Sequence, residues 1–235
     1  MQSLKVFKHI VYRIIDPVTR GLVRAGVHPN AVTTIGFAVT VMAGVFFHLD
    51  HVRWAGLFIL IGGVIDIFDG QVARQSGLAS KFGSFYDSTL DRISEIVVFL
   101  GLLSLYNQYG RELADVWMVY VIMLAMGGSL MVSYTRARAE ALGLDCSEGL
   151  MQRAERVVLL GGSCLVVGLA WNGIVLRIVL IILAVTTIGT AIQRIVWVYQ
   201  HARGVPLDPP RTNRSRADAD EGFEAGQADP SQVRR

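Results

Sequence analysis

The strongest constraint on the fold is a series of long apolar stretches separated by short polar segments rich in arginine. A helix crosses a bilayer core about 30 Å thick with roughly 20 apolar residues, and six stretches approach that length. Charged residues make up 17% of the chain, whereas about a quarter of a typical soluble domain is charged. The pattern therefore predicts an all-α integral membrane protein with six transmembrane helices. The predicted spans cover residues 31–47, 54–72, 87–106, 116–134, 157–171 and 174–199.

Both ends of the chain differ from the membrane domain, which is predicted over residues 28–202. Residues 1–27 mix apolar and basic side chains without a continuous apolar core. This pattern argues against a cleavable signal peptide and favours an amphipathic helix at a membrane surface. An ordinary solvated helix before the first span is the alternative. Residues 203–235 contain too few large apolar side chains to fold, so we predict a disordered polar tail.

The distribution of basic residues predicts the orientation of the helices. Lysine and arginine concentrate in the N-terminal segment and after the second, fourth and sixth spans, while the opposite loops carry only Arg53 and Arg111. Cytoplasmic loops carry the excess of basic residues in membrane proteins. We therefore predict a multi-pass protein of the cytoplasmic membrane with both termini in the cytoplasm.

Four aspartates lie at the ends of two predicted apolar helices: Asp66, Asp69, Asp87 and Asp91. A charged residue at membrane depth is energetically costly and is a functional candidate. Spacings of three and four residues place each pair on one face of its helix, so the carboxylates converge if the two helices are neighbours. Carboxylates at close range repel unless cations lie between them, and oxygen ligands suit Mg²⁺ or Mn²⁺. The alternative is that these aspartates only cap or solubilise the helix ends.

The aspartates belong to a longer pattern, Asp-x-x-Asp-Gly-x-x-Ala-Arg, then eight residues, then Gly-x-x-x-Asp-x-x-x-Asp. This pattern resembles the signature of the CDP-alcohol phosphotransferase family, and the resemblance covers about residues 1–200. It implies an enzyme that transfers a phosphoalcohol group from a CDP-activated lipid to an alcohol and releases CMP. The matching residues are Asp66, Asp69, Gly70, Ala73, Arg74, Gly83, Asp87 and Asp91.

The resemblance also implies roles for individual residues. Asp66, Asp69 and Asp87 would hold two Mg²⁺ or Mn²⁺ ions. Asp91, a further candidate metal ligand, would be the general base that accepts the proton of the attacking hydroxyl. Family members are homodimers, and the active site would face the cytoplasm. The CDP group would be bound by Asn30, Thr33, Asp66, Asp69, Gly70, Ala73, Arg74 and Gly83.

A second group of residues, Arg136, Arg153 and Arg194, lies on the same predicted side of the membrane. Arginine is well matched to a phosphate monoester, so these residues are candidates for binding the phosphate of the acceptor. The alternative is that they only satisfy the positive-inside rule and contact lipid head groups. The segments Ser-Tyr-x-x-Ala-Arg-Ala-Glu and Arg-x-Glu-Arg are similar to the branch of the family that uses inositol phosphate. The resemblance therefore implies inositol phosphate as the acceptor.

Other functions remain open at this point. The same reaction with glycerol phosphate or serine is one alternative, although serine would not need an arginine cluster. An intramembrane prenyltransferase also uses Mg²⁺ and aspartate-rich helix ends, but it lacks the Asp-Gly-x-x-Ala-Arg pattern. A transporter or channel would place its charges along a path across the bilayer, whereas these clusters lie on one side. The expected partners are a CDP-lipid donor, a small alcohol and the lipid bilayer, with no nucleic acid.

Overall fold

All regular structure in the computed structural model is helical over the residues it describes, 16–107, 115–146 and 149–204. Helix α1 is described over 16–24, and a short 3₁₀ turn, Ala170–Gly173, precedes the last helix. The all-α prediction is therefore confirmed. The other helices are α2 (Pro29–His48), α3 (Val52–Ser76), α4 (Lys81–Asn107), α5 (Val116–Ala141), α6 (Arg153–Val166) and α7 (Ile174–Ala202).

The chain divides into two units, Met1–Val198 and Tyr199–Arg235. The first unit contains the helical bundle. In the described part of the second unit, the Arg203 guanidinium lies over the Tyr199 ring, 5.6 Å from its centroid. The predicted surface helix falls mostly on residues 1–15 and the predicted tail mostly on residues 205–235, and both of these ranges lie outside the described residues.

Four helices are long and apolar enough to cross a membrane, namely α2, α3, α5, and α7 with the turn before it. The chain is thus a multi-pass membrane protein by the length and composition of its helices. Helix α6 has only 14 residues and is therefore too short to be counted with them. Helix α4 is long enough, but it carries three charged residues, Asp91, Arg92 and Glu95, within its apolar part. The count of six spans stays a prediction.

Local sequence fixes where the helices begin and end. Pro29 occupies the first turn of α2, where its missing N–H is not needed. Helix α3 ends at Gly77, whose φ of 70° is the left-handed conformation that favours glycine. Helix α4 begins at Lys81, six residues before the predicted third span. The aspartates therefore lie within helices that continue past the apolar stretches, and not at helix ends as the sequence suggested.

Small residues allow the helices to approach closely. A Cβ atom on Gly101 would lie 2.4 Å from the carbonyl oxygen of Gly44, so the backbones of α2 and α4 are in contact there. Likewise, a Cβ atom on Gly56 of α3 would lie 2.6 Å from the carbonyl oxygen of Gly161 in α6. Close backbone approach at small residues is typical of membrane helix packing.

Successive helices alternate in direction, which gathers particular helix ends together. Asn30 and Gly83, near the starts of α2 and α4, are close to each other, and Gly44 contacts Gly101 further along. These two helices are therefore parallel. The starts of α2, α4 and α6 lie near the ends of α3 and α5 and near Arg194 of α7, and we call this the site end of the bundle. The largest fully buried apolar side chains include Phe47, Leu102, Leu105, Ile122, Leu176 and Leu180.

Candidate metal and phosphate site

Three carboxylates converge at the site end of the bundle. Asp66, Asp69 and Asp87 each offer an oxygen atom, and these atoms lie within 4.8 Å of one another. Asp69 is only 5% exposed. Within the described ranges, Asp69 Oδ2 and Asp87 Oδ1 are buried and have no hydrogen-bond partner. Buried carboxylate oxygens that lack a donor are suited to a cation, and an all-oxygen ligand set fits Mg²⁺ or Mn²⁺.

The helices explain why these carboxylates meet. Asp66 and Asp69 share one face of α3, Asp87 lies in the second turn of α4, and both helices pack against α2. A small cavity beside them is lined by Thr33 of α2 together with Asp66, Asp69 and Asp91. The convergence that the spacing predicted is thus present in the fold.

Asp91 lies outside this group of three and is paired with Arg153 of α6. The Arg153 Nη2 atom lies 2.6 Å from Asp91 Oδ1, and Nη1 lies 2.8 Å from Asp66 Oδ2. One guanidinium therefore connects α6 to both α3 and α4. It also offsets part of the negative charge of the carboxylates. We predicted Arg153 as a ligand of the acceptor phosphate, and the sequence alone did not indicate that it also contacts the aspartates.

The residues predicted to bind the CDP group lie at the same end of the bundle. Asn30 Oδ1 is 3.4 Å from the position that a Cβ atom on Gly83 would occupy. The Arg74 Nη1 atom is 3.4 Å from the equivalent position on Gly70. Arg74 is exposed, Ala73 is half-buried and Thr33 is buried. These glycines leave room for a ligand to approach the backbone of α3 and α4.

A cleft of about 500 Å³ opens beside Asp66, and all three arginines predicted to bind the acceptor contribute to its lining. Arg136 is exposed and its Nε atom is 2.8 Å from Glu140 Oε1. Arg194 is only 5% exposed, and its Nη1 atom donates to the Val132 carbonyl at 2.6 Å. The charged residues that line the cleft are Asp66, Arg92, Arg136, Arg153, Arg156 and Arg194.

The sequence did not lead us to a second ion pair, which lies one helical turn further into the bundle than the pair of Arg153 and Asp91. Arg156 Nη2 lies 3.2 Å from Glu95 Oε1, and the Ser129 hydroxyl donates to the same oxygen. Two signals could have identified it: Glu95 is a carboxylate inside a predicted span, and it lies one helical turn after Asp91.

Comparison with known proteins gives consistent results. The sequence model of the family described as CDP-alcohol phosphatidyltransferase matches residues 26–192. The archaetidylinositol phosphate synthase of Methanothermobacter thermautotrophicus is 32% identical over 201 residues, which cover 85% of this chain and 96% of that protein. The phosphatidylinositol phosphate synthase of Streptomyces avermitilis is 38% identical over 194 residues, which cover 79% of this chain and 78% of that protein.

Solved structures show the same fold. The phosphatidylinositol phosphate synthase of Mycobacterium tuberculosis with CDP-DAG bound matches with a TM-score of 0.75 and 29% identity, covering 84% of this chain and 100% of that chain. The same enzyme in complex with manganese and citrate matches with a TM-score of 0.74, covering 86% and 97%. Together with the aspartate signature, these matches confirm the resemblance that the sequence indicated. The chain belongs to the CDP-alcohol phosphatidyltransferase family.

Proposed function

We propose that this chain transfers a phosphatidyl group, or its ether-lipid equivalent, from a CDP-activated lipid to inositol phosphate and releases CMP. The observation that carries this proposal is the position of three carboxylates directly beside a cleft lined by Arg136, Arg153 and Arg194. Relatives named archaetidylinositol phosphate synthase and phosphatidylinositol phosphate synthase support the acceptor. The M. tuberculosis enzyme with CDP-DAG bound supports the donor.

The aspartates are the proposed metal site. Asp66, Asp69 and Asp87 would ligate two divalent ions, with Asp91 at the edge of the site, and the manganese complex of the M. tuberculosis enzyme supports the type of metal. Bound Mg²⁺ or Mn²⁺ supplies positive charge that neutralises the diphosphate of the donor and the leaving CMP. Asn30, Thr33, Gly70, Ala73, Arg74 and Gly83 would surround the CDP group.

Asp91 is the proposed general base. It lies on α4 one turn after Asp87, and Arg153 holds one of its oxygens at 2.6 Å. Arg153 lines both the small cavity beside the aspartates and the larger cleft, so this contact would hold Asp91 near the boundary between them. Asp91 would accept the proton of the acceptor hydroxyl while that oxygen bonds to the lipid-side phosphorus and the bond to the CMP oxygen breaks.

The arginines would hold the acceptor by its phosphate. Arg194 is buried and Arg136 is exposed, so the cleft offers donors both at depth and at its rim. Guanidinium groups form strong, directional hydrogen bonds with phosphate oxygens. Glycerol phosphate would also satisfy these donors and is the second candidate acceptor, whereas serine and free inositol lack the anion. A prenyltransferase does not agree with membership of this family.

The proposed function is tested by the release of CMP. Purified protein in detergent is incubated with CDP-diacylglycerol, Mg²⁺ and one of four acceptors: inositol phosphate, free inositol, glycerol phosphate or serine. We expect rapid release only with inositol phosphate. Equal or faster release with serine or free inositol would contradict the assignment of the acceptor. A chain that releases no CMP with any acceptor, although it is folded and Mg²⁺ is present, would contradict the reaction itself.

For the topology we propose six transmembrane helices, an N-terminal surface helix, and both termini and the active site on the cytoplasmic side. After the native Cys146 and Cys164 are replaced, single cysteines at Ser80 and Leu150 test the site end. They should react with an impermeant thiol reagent only after the membrane is opened. A cysteine at Asn172, in the opposite loop, is the matched control and should react from outside. The opposite pattern would invert the topology.

We further propose a homodimer, which rests on the family resemblance alone. Its test is the mass of the protein in detergent after subtraction of the bound detergent. A strictly monomeric, active protein would refute it.

A further inference from the structure

The hydrogen bond between Thr34 of α2 and Tyr86 of α4 is a feature of the site end that the proposed mechanism does not use. The two hydroxyl oxygens are 3.0 Å apart. The Thr34 hydroxyl donates to the Asn30 carbonyl at 2.7 Å. Because a hydroxyl has one hydrogen to donate, the Tyr86 hydroxyl is the donor to Thr34. A chain of two hydrogen bonds therefore runs from Tyr86 to the backbone of Asn30.

Both ends of this chain adjoin residues of the proposed donor site. Asn30 is proposed to contact the CDP group, and its Oδ1 atom lies 3.4 Å from the position that a Cβ atom on Gly83 of α4 would occupy. Tyr86 directly precedes Asp87, one of the three converging carboxylates. The hydrogen bonds thus connect the part of α2 that would hold the CDP group to the part of α4 that would hold metal.

Contacts between α2 and α4 occur at several levels along the two helices. In the middle, a Cβ atom on Gly44 would lie 2.6 Å from the Val97 carbonyl oxygen. At the far end, His48 Nδ1 lies 2.6 Å from the Ser104 hydroxyl oxygen. A contact in the middle sets the distance between two packed helices but not the angle at which they cross. The separation at the site end therefore depends on a contact there, and the bond between the two hydroxyl groups provides one.

A purely stabilising role would explain the bonds at the two ends of this helix pair equally well. A hydrogen bond between two neutral hydroxyls contributes modestly to stability, and Thr34 is exposed. The Phe82 ring stacks on the Tyr86 ring with centroids 5.8 Å apart, which restricts the phenol. Unlike the bond between His48 and Ser104, the bond at the site end has donor-site residues on both sides. That position indicates a role in substrate binding.

We propose that Tyr86 and Thr34 are positioning residues for the CDP-lipid donor, and that their hydrogen bond holds Asn30 and Asp87 at the separation which the bound donor requires. This inference rests on the proposed function. Without the bond, the starts of α2 and α4 can move apart, so the CDP group and the metal-bound diphosphate are no longer contacted together as well. The cleft proposed for the acceptor is lined by residues of α3 to α7 and lies outside this contact.

The test measures the dissociation constant of CDP-diacylglycerol by calorimetry with Mg²⁺ present, without acceptor and without turnover. Tyr86→Phe keeps the ring that stacks on Phe82 and removes the hydroxyl alone. Thr34→Val keeps the branched shape and removes the accepting oxygen. Each variant should weaken binding by about two- to tenfold, the range expected for one neutral hydrogen bond between helices. Thr34→Ser keeps the hydroxyl and should bind like the wild type.

A double variant shows whether the two hydroxyl groups act together. If they form one contact, Tyr86→Phe combined with Thr34→Val should bind CDP-diacylglycerol no more weakly than the weaker of the two single variants. If the two effects multiply instead, each hydroxyl acts separately and the inference is wrong.

Ser104→Ala is the matched control, because it removes a hydrogen bond between the same two helices at the far end. It should lower Tm about as much as Tyr86→Phe does and leave the affinity for CDP-diacylglycerol unchanged. The affinity for inositol phosphate should not change in any of these variants. If Tyr86→Phe lowers Tm but binds CDP-diacylglycerol like the wild type, the bond is only structural and the inference is overturned.

The two proposals fail in different ways. A wild type that binds CDP-diacylglycerol more tightly than Tyr86→Phe does, but releases no CMP with any acceptor, would refute the proposed function and leave the positioning role intact. A wild type that is active while Tyr86→Phe has the same affinity for the donor would refute only the inference.

Discussion

The contact between Gly44 of α2 and Gly101 of α4 provides a stringent test of the helix packing. A Cβ atom on Gly101 would lie 2.4 Å from the Gly44 carbonyl oxygen and 2.8 Å from its Cα atom. Both are backbone atoms, so no side chain can rotate away, and the two helices must separate. Overpacking of this kind costs about 1–3 kcal/mol. Alanine recovers about 1 kcal/mol through its higher helix propensity, so the net loss is up to about 2 kcal/mol.

Gly127→Ala is the control for Gly101→Ala, because Gly127 also lies inside a helix but a Cβ atom there would meet nothing within 4 Å. Thermal unfolding in one detergent compares the two variants. At about 2–4 °C per kcal/mol for a chain of this size, Gly101→Ala should lower Tm by up to about 8 °C. Because both variants gain the same helix propensity, its Tm should lie about 2–12 °C below that of Gly127→Ala. Gly127→Ala should leave Tm unchanged or raise it slightly. A Gly101→Ala protein at least as stable as Gly127→Ala would refute the close approach of α2 and α4.

Three further changes test the roles proposed at the site. Asp91→Asn should lower turnover more than metal affinity, because a base acts mainly in the transition state; near-normal kcat would exclude that role. Arg74→Ala should raise the KM for the CDP-lipid and leave that for inositol phosphate unchanged, and the reverse pattern would assign Arg74 to the acceptor. Arg153→Ala removes the ion pairs with Asp66 and Asp91, so it should strengthen Mn²⁺ binding measured by calorimetry without substrates. It should also weaken inositol phosphate binding by about ten- to a hundredfold. Weaker Mn²⁺ binding than in the wild type would show that Arg153 does not compete with the cation.

The sequence was sufficient to predict the cluster of three carboxylates, because residues three or four apart lie on the same face of a helix. Asp66 and Asp69 lie close together whenever α3 is helical. Asp87 joins them only because α4 lies near α3. Helix α4 begins at Lys81, six residues before the predicted third span. Hydropathy reports where a helix enters an apolar environment, whereas Lys81 begins the helix in a polar stretch.

The sequence was not sufficient to predict which charges pair across helices. Arg153 is 87 residues from Asp66 along the chain, and its position follows from the packing of α6 against α3. The periodicity of a sequence shows which residues share a helix face. It does not show which helix packs against that face or how deeply a side chain is buried. The same limit applies to Glu95 and Arg156, each of which reads as an isolated charge until α4 and α6 are placed side by side.

The depth of the polar groups argues against the transporter alternative. From the site end, charged residues continue along α4 as far as Glu95, and no charged residue follows in the rest of that helix, up to Asn107. The next side chains of α4 that are buried, Val98 and Phe99, are apolar, and the core continues with apolar residues. An ion that crossed this part of the bundle would have to leave all of its polar ligands in the middle of the membrane, which is energetically prohibitive. A polar cavity at the site end of the bundle is what a transfer reaction between a membrane lipid and a water-soluble acceptor requires, since both substrates must enter from the same surface.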